Sequence, residues 1–211
     1  MTQTPSRSQT FFSEDGVSGL THRAFTAAMG YDSADMNRPL IGICNTYSEL
    51  NPCNSHLRGI SEAVKRGVLQ AGGTPLEFPT ISLGEIHLSP TSMLYRNLAA
   101  MDTEEMIRGN PLDGVVLLTN CDKTTPAALM GAASADIPTI MLSGGPMLNG
   151  HYMGEILGAC TDCRRYTAEY QAGAISAETY REVEANLVRS AGHCMVMGTA
   201  STMNSLMEAL G

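Results

Sequence analysis

Alternating strand-like and helix-like segments predict an α/β protein, a three-layer α/β/α arrangement around a mostly parallel sheet. Two features carry that expectation. The runs Pro39–Cys44 and Gly114–Leu118 are short and continuously apolar, as strands buried on both faces are. Between them, Leu57, Ile60, Val64 and Val68 recur at helical spacing until Gly72-Gly73 stops the pattern.

In chain order, residues 1–35 read as an irregular N-terminal segment with one short helical stretch, Arg23 to Met29, closed by Gly30. Residues 36–211 read as the α/β domain. Its first strand, Pro39–Cys44, leads into a loop, Asn45–Asn54, that carries Pro52 and Cys53. The helix from Leu57 follows, then a strand-like stretch, Thr74–Ile81, weakened by Pro75 and Pro79. Ser92–Arg108 is predicted helical, with Leu94, Leu98, Met101 and Ile107 facing inward. Gly114–Leu118 is the next strand, and Ala127–Ala135 a short helix opened by Thr125 as cap and Pro126 in its first turn. Ile137–Leu142 is the last predicted strand, ending in Ser143-Gly144-Gly145-Pro146. Ala177–Arg189 and Thr199–Leu210 are predicted helices, the second followed only by Gly211. An α/β enzyme ending on such a helix reads as truncated.

Composition narrows the function. The chain has 211 residues, 43% of them hydrophobic and 16% charged, which suits a globular core. Its formal charge of −8 argues against a nucleic-acid backbone as partner. No apolar stretch is long enough for a membrane span, and Met1 to Ser8 lacks the apolar segment of a secretory signal, so a cytoplasmic location is expected. In that compartment the six cysteines (44, 53, 121, 160, 163 and 194) are expected to be reduced thiols or ligands.

Asn120-Cys121-Asp122-Lys123 sets a thiol, a carboxylate and an amine in succession between a buried strand and a helix. In open α/β sheets, ligands bind at that seam. Soft sulfur suits iron or zinc and hard oxygen suits magnesium or calcium, so adjacent donors of both kinds suggest a site for two metals, the plain alternative for Asp122 and Lys123 being a surface ion pair. Cys53, Cys121 and Cys194 each precede a predicted helix, where exposed N–H groups favour a thiolate. The plain alternative is three unrelated buried thiols. Glu85 follows a strand-like stretch and could serve a hard cation, or be an ordinary solvated carboxylate. Cys160-Thr161-Asp162-Cys163 is half of a zinc site, with no second pair to complete it. Ser143-Gly144-Gly145-Pro146 could receive a carboxylate or equally be a structural turn, and it is no P-loop, since no Gly-Lys-Ser/Thr follows. His56, His87, His151 and His193 are more simply structural.

Taken in order, Pro39-Leu40-Ile41-Gly42-Ile43, Asn51-Pro52-Cys53-Asn54, Gly84-Glu85, Asn120 to Pro126, Ser143 to Met147 and Gly192-His193-Cys194 resemble the dihydroxy-acid dehydratase and phosphogluconate dehydratase family. That resemblance implies the N-terminal lobe of a two-domain hydro-lyase. It implies that Cys53, Cys121 and Cys194 ligate an iron–sulfur cluster, a [2Fe–2S] form given the cysteine at 53. Glu85, Asp122 and a carbamylated Lys123 would then be magnesium ligands. Carbamylation is chemically reasonable, because an ammonium has no acceptor whereas a carbamate presents oxygen. Cys44, Cys160 and Cys163 match no ligand position.

The implied reaction removes water from a 2,3-dihydroxy carboxylate to give a 2-keto acid, with an open iron site and magnesium as Lewis acids. The family's barrel-like second domain, with its serine base and a further acidic ligand, is absent from these 211 residues, and little turnover is expected from them alone. Tyr95-Arg96-Asn97-Leu98, Met101 to Met106 and Thr124 to Ala127 resemble the sugar-acid branch (arabinonate, xylonate and galactonate). The branched-chain biosynthetic enzyme is the runner-up. A non-catalytic zinc or redox cysteine module, or an assembly fragment that binds no metal, are the readings from other classes. The expected partner is a small polyhydroxy acid, within a homo-oligomer (dimer or tetramer).

Overall fold

A computed structural model describes residues 5–210. Its elements are α1 (Arg7–Ser13), α2 (Gly16–Ala28), α3 (Ser33–Met36), β1 (Leu40–Asn45), α4 (Leu57–Gln70) and β2 (Thr74–Pro79). A single 3-10 turn, Ser92–Tyr95, then leads into α5 (Arg96–Gly109), β3 (Gly114–Thr119), α6 (Thr124–Ala135) and β4 (Thr139–Ser143). Last come β5 (Gly150–Tyr152), β6 (Glu155–Leu157), α7 (Ala159–Gln171), α8 (Ala177–Leu187) and α9 (Thr199–Leu210).

The four strands β2-β1-β3-β4 form one parallel sheet, and β5 pairs with β6 as an antiparallel ribbon. The α/β class and the mostly parallel sheet are therefore as the sequence predicts. Side chains alternate across the sheet. Leu40, Cys44, Val115 and Leu117 join Ile107 of α5 and Ala128 and Ala132 of α6 in the main core. α4 packs on β1, β2 and β3. Burying each large aliphatic here is worth about 1.5–3 kcal/mol.

The chain runs from β1 to its neighbour β2, then returns past β1 to β3. The strand order thus reverses between β1 and β3. The carboxyl ends of these two strands therefore mark the switch point, the place where ligands bind in such sheets.

Several expectations are corrected. Residues 7–36 form three helices instead of one short one, and Phe12 and Met36 lie in the main core. Asp113 anchors α1 by accepting hydrogen bonds from the Ser8 backbone and hydroxyl. Leu94, Leu98 and Met101 are not inward: they are 66%, 53% and 61% exposed. The inward face of α5 is Ala99, Ala100, Thr103 and Ile107. These small residues let α6 approach so closely that a Cβ at Gly131 would lie 2.4 Å from the Ala100 carbonyl oxygen. Backbone proximity, not large side chains, makes this contact, so apolar spacing alone misreads the face.

The sheet is also less fully covered than expected. On the edge strand β4, Ile140 and Leu142 remain exposed. Residues 150–187 hold a ribbon and helix pair with their own cluster, Leu157, Tyr166 and Val183. The sequence gives little sign of that ribbon, because its turn places Met153 at φ +46°, where Asn or Gly is the usual signal. No helix among the described residues is long and apolar enough to cross a membrane.

Candidate metal site at the carboxyl edge of the sheet

Three loops meet at this switch point. The loop after β1 carries Asn51 to Asn54, the one after β3 carries Asn120 to Lys123, and the one after β4 carries Ser143 to Pro146. Buried asparagines lock them together. Asn51 Oδ1 accepts from the Cys53 backbone N–H at 3.1 Å, folding the first loop over itself. Asn54 Oδ1 accepts from the Cys121 N–H at 3.1 Å. In return, Asn120 Nδ2 donates to the Cys53 carbonyl at 2.8 Å and to the Gly145 carbonyl at 2.9 Å. From α9, Asn204 Nδ2 donates to the Asn120 carbonyl at 3.0 Å.

The segment bearing Cys194 is tied to the same frame. Gly192 N–H donates to the Pro52 carbonyl at 3.3 Å, His193 N–H to the Gly145 carbonyl at 3.1 Å, and Met147 N–H to the His193 carbonyl at 2.8 Å. The first turn of α9 adds the Ser201 hydroxyl, which donates to the Val196 carbonyl at 2.9 Å.

Cys53 and Cys121 consequently pack together with Met147, at 6% and 3% exposure. Each of the two thiols is the largest influence on the other, which holds Cys121 below the ordinary thiol range and pushes Cys53 above it. Burial, followed by the neighbouring Cys160, pushes Cys194 up to about 12. Cys194 is half-buried, near enough to Cys53 to raise that thiol and near enough to Cys121 and Asp122 to be raised by them. All three are free thiols, each three to five residues before a helix start, as the sequence indicates.

Hard donors stand beside the soft ones. Cys121 Sγ lies 3.6 Å from Asp122 Oδ1. Lys123 Nζ is 2.6 Å from Asp122 Oδ2 and 3.0 Å from Glu85 Oε1. Burial disfavours the Lys123 ammonium, but hydrogen bonds to Asp122 and Glu85 outweigh it and leave the group above its usual range. α6 begins at Thr124, three residues earlier than predicted, so Lys123 is its N-cap residue and the helix start abuts the site.

The six candidate residues 53, 85, 121, 122, 123 and 194 therefore gather at one rim. Among the described residues, no group of three His, Cys, Asp or Glu side chains is drawn together tightly enough to hold an ion as it stands. The donor chemistry nonetheless suits two metals: thiols for a soft one and, beside them, carboxylates for a hard one. The Lys123 ammonium offsets part of the charge of these two carboxylates.

Sequence reasoning did not single out Asn51, Asn54, Asn120 and Asn204. The available signal was an asparagine immediately beside two of the three cysteines. Cys160 matches no ligand position in the family resemblance, yet its Sγ lies 3.9 Å from Cys194 Sγ, at the start of a helix that the sequence does not predict. The Ser143–Pro146 turn has a partner in His56, whose Nε2 meets the Gly144 carbonyl at 2.9 Å. That contact supports a structural role for this histidine.

Fold and rim together describe an α/β domain that gathers thiols and carboxylates at the switch point of a parallel sheet. The chain belongs to the dihydroxy-acid/6-phosphogluconate dehydratase family, whose N-terminal domain matches residues 38–211. It is 51% identical to the L-arabonate dehydratase of Azospirillum brasilense over 97% of this chain and 35% of that protein. It is 48% identical to the 6-deoxy-6-sulfo-D-gluconate dehydratase of Pseudomonas putida, over 97% of this chain and 36% of the relative. With the dihydroxy-acid dehydratase of Pyrococcus abyssi it shares 42% identity over 93% of this chain and 36% of that one. The chain thus spans about a third of the length of the curated relatives it matches.

Proposed function

We propose that this chain is the metal-bearing lobe of a hydro-lyase that converts a 2,3-dihydroxy sugar acid to its 2-keto-3-deoxy product. The observation that carries the reading is the meeting of Cys53, Cys121 and Cys194 with Asp122, Lys123 and Glu85 at the switch-point rim. The cysteines would hold a [2Fe–2S] cluster; Glu85, Asp122 and carbamylated Lys123 would hold magnesium. Bound there, the cluster would supply a Lewis acid for the departing C3 hydroxyl, and magnesium would grip the carboxylate and C2 hydroxyl.

The chain's own residues prepare that chemistry. The asparagine frame fixes the thiol-bearing loops before any ligand arrives, which limits the ordering cost of binding. Burial of Cys53 and Cys121 keeps water from the sulfur side of the rim. Lys123 holds Asp122 and Glu85 together until its amine, freed of its proton, can accept carbon dioxide and become an oxygen donor.

A sugar acid is favoured over a branched-chain dihydroxy acid because the sugar-acid relatives are 48% and 51% identical against 42%. An optical titration tests the assignment. After anaerobic reconstitution with iron, sulfide and magnesium, L-arabinonate should shift the visible circular dichroism at concentrations where acetate and 2,3-dihydroxyisovalerate do not. A spectrum indifferent to L-arabinonate, or moved more strongly by 2,3-dihydroxyisovalerate, would overturn the substrate class.

A further inference from the structure

Cys160 is the one cysteine beside the rim that the proposed function leaves without a task. Its thiol is exposed and stands 3.9 Å from Cys194 Sγ, across a sequence gap of 34 residues. The approach is built by the fold. Cys160 occupies the first turn of α7, whose start is fixed by the Gly158 N–H donating to Asp162 Oδ2 at 2.6 Å and by the Ala159 N–H donating to Met195 Sδ at 3.1 Å. The second contact ties the start of this helix directly to the residue after Cys194. Cys163, one turn further along α7, has its sulfur 3.8 Å from the Cys160 carbonyl oxygen.

We propose that Cys160 and Cys194 form a disulfide when a hydroperoxide reaches the metal-free chain, withdrawing Cys194 from the thiol set at the rim. Closing 3.9 Å to a bond of about 2.05 Å requires side-chain rotation on two anchored segments. Exposed Cys160 reacts first. Its sulfur attacks one peroxide oxygen, the O–O bond breaks, and the products are a sulfenic acid and, for hydrogen peroxide, one water. The Cys194 sulfur then attacks the sulfenic sulfur and expels the hydroxyl, which leaves as a second water with the Cys194 proton. Two thiols lose two electrons in all, and the peroxide gains them. The disulfide requires only the two sulfurs; its effect on metal binding rests on the proposed function.

Peptide mapping tests the pairing. The full chain, freed of metal, is treated with one equivalent of hydrogen peroxide, alkylated, and digested with trypsin without reduction. Peptide 124–164 should be joined to peptide 190–211 in the wild type and in Cys163→Ser, and the join should be lost in Cys160→Ser. Far-ultraviolet circular dichroism checks that each variant is folded. An internal Cys160–Cys163 bond with Cys194 alkylated, a join that survives Cys160→Ser, or no disulfide at all would overturn the proposal. A second sample loaded with iron and sulfide separates the two ideas. Loaded chain that resists joining supports both, whereas chain that takes up no iron yet still joins keeps the disulfide and sinks the metal reading.

Discussion

Asn54 and Asn120 hold the two deepest thiols in a reciprocal clasp. Asn54 accepts from the Cys121 N–H at 3.1 Å, and Asn120 donates to the Cys53 carbonyl at 2.8 Å. Each asparagine adjoins one cysteine in sequence and bonds the backbone of the other. Both are fully buried, so neither hydrogen bond competes with water.

Truncating either asparagine should therefore be costly. Asn54→Ala strands the Cys121 N–H, and Asn120→Ala strands the Cys53 carbonyl; each should lower stability by about 1–3 kcal/mol. Urea denaturation measures this, and the double variant should lose less than the sum because the two share one frame. A loss below about 0.5 kcal/mol for both would deny the clasp its role.

The Lys123 ion pair sets a condition on the proposed magnesium site. Its raised basicity opposes the neutral amine that carbamylation needs, so magnesium uptake should depend on dissolved carbon dioxide and strengthen as pH rises. Calorimetric titration with and without bicarbonate reads the difference. Lys123→Arg, with no amine to carbamylate, should bind magnesium weakly in either buffer. Equal affinity in carbon dioxide-free buffer would refute the carbamate.

Asp113 gives a pH signature to the N-terminal helix. Burial pushes its carboxyl up, but hydrogen bonds from the Ser8 hydroxyl, Ser8 N–H and Leu40 N–H outweigh burial and hold it below the usual range. A folded-state value below the unfolded one stabilises at neutral pH, and that stability is lost as pH falls through the depressed value. Thermal denaturation below about pH 4 should show the loss. Asp113→Asn should be less stable at pH 7 and respond less to acid.

Close approach at Gly131 predicts a steric effect. Gly131→Ala brings a methyl against the Ala100 carbonyl and should cost about 1–3 kcal/mol despite alanine's better helix propensity. A gain in melting temperature would contradict the packing described for α5 and α6.

How much of this was legible beforehand follows from what each residue does. Strands such as Gly114–Thr119 announce themselves, because a doubly covered strand must be apolar throughout. Cys53, Cys121 and Cys194 were legible through their place before helices. Asn54 and Asn120 were not, since an asparagine in a loop has no pattern until the second loop is in place. α7 was hidden for a related reason: its Cys-x-x-Cys start draws attention to chemistry, while its capping by Asp162 is a local detail. The outward Leu98 and Met101 show the limit of periodicity where small residues form the contact.

The central claim, that Cys53, Cys121 and Cys194 act as one ligand set, is tested most directly by iron and acid-labile sulfide content after anaerobic reconstitution. Wild-type chain should take up two irons and two sulfides and become coloured, while Cys53→Ser, Cys121→Ser and Cys194→Ser should each lose both the colour and most of the iron. Colourless wild-type protein, or zinc uptake that depends on Cys160 and not on Cys121, would contradict it.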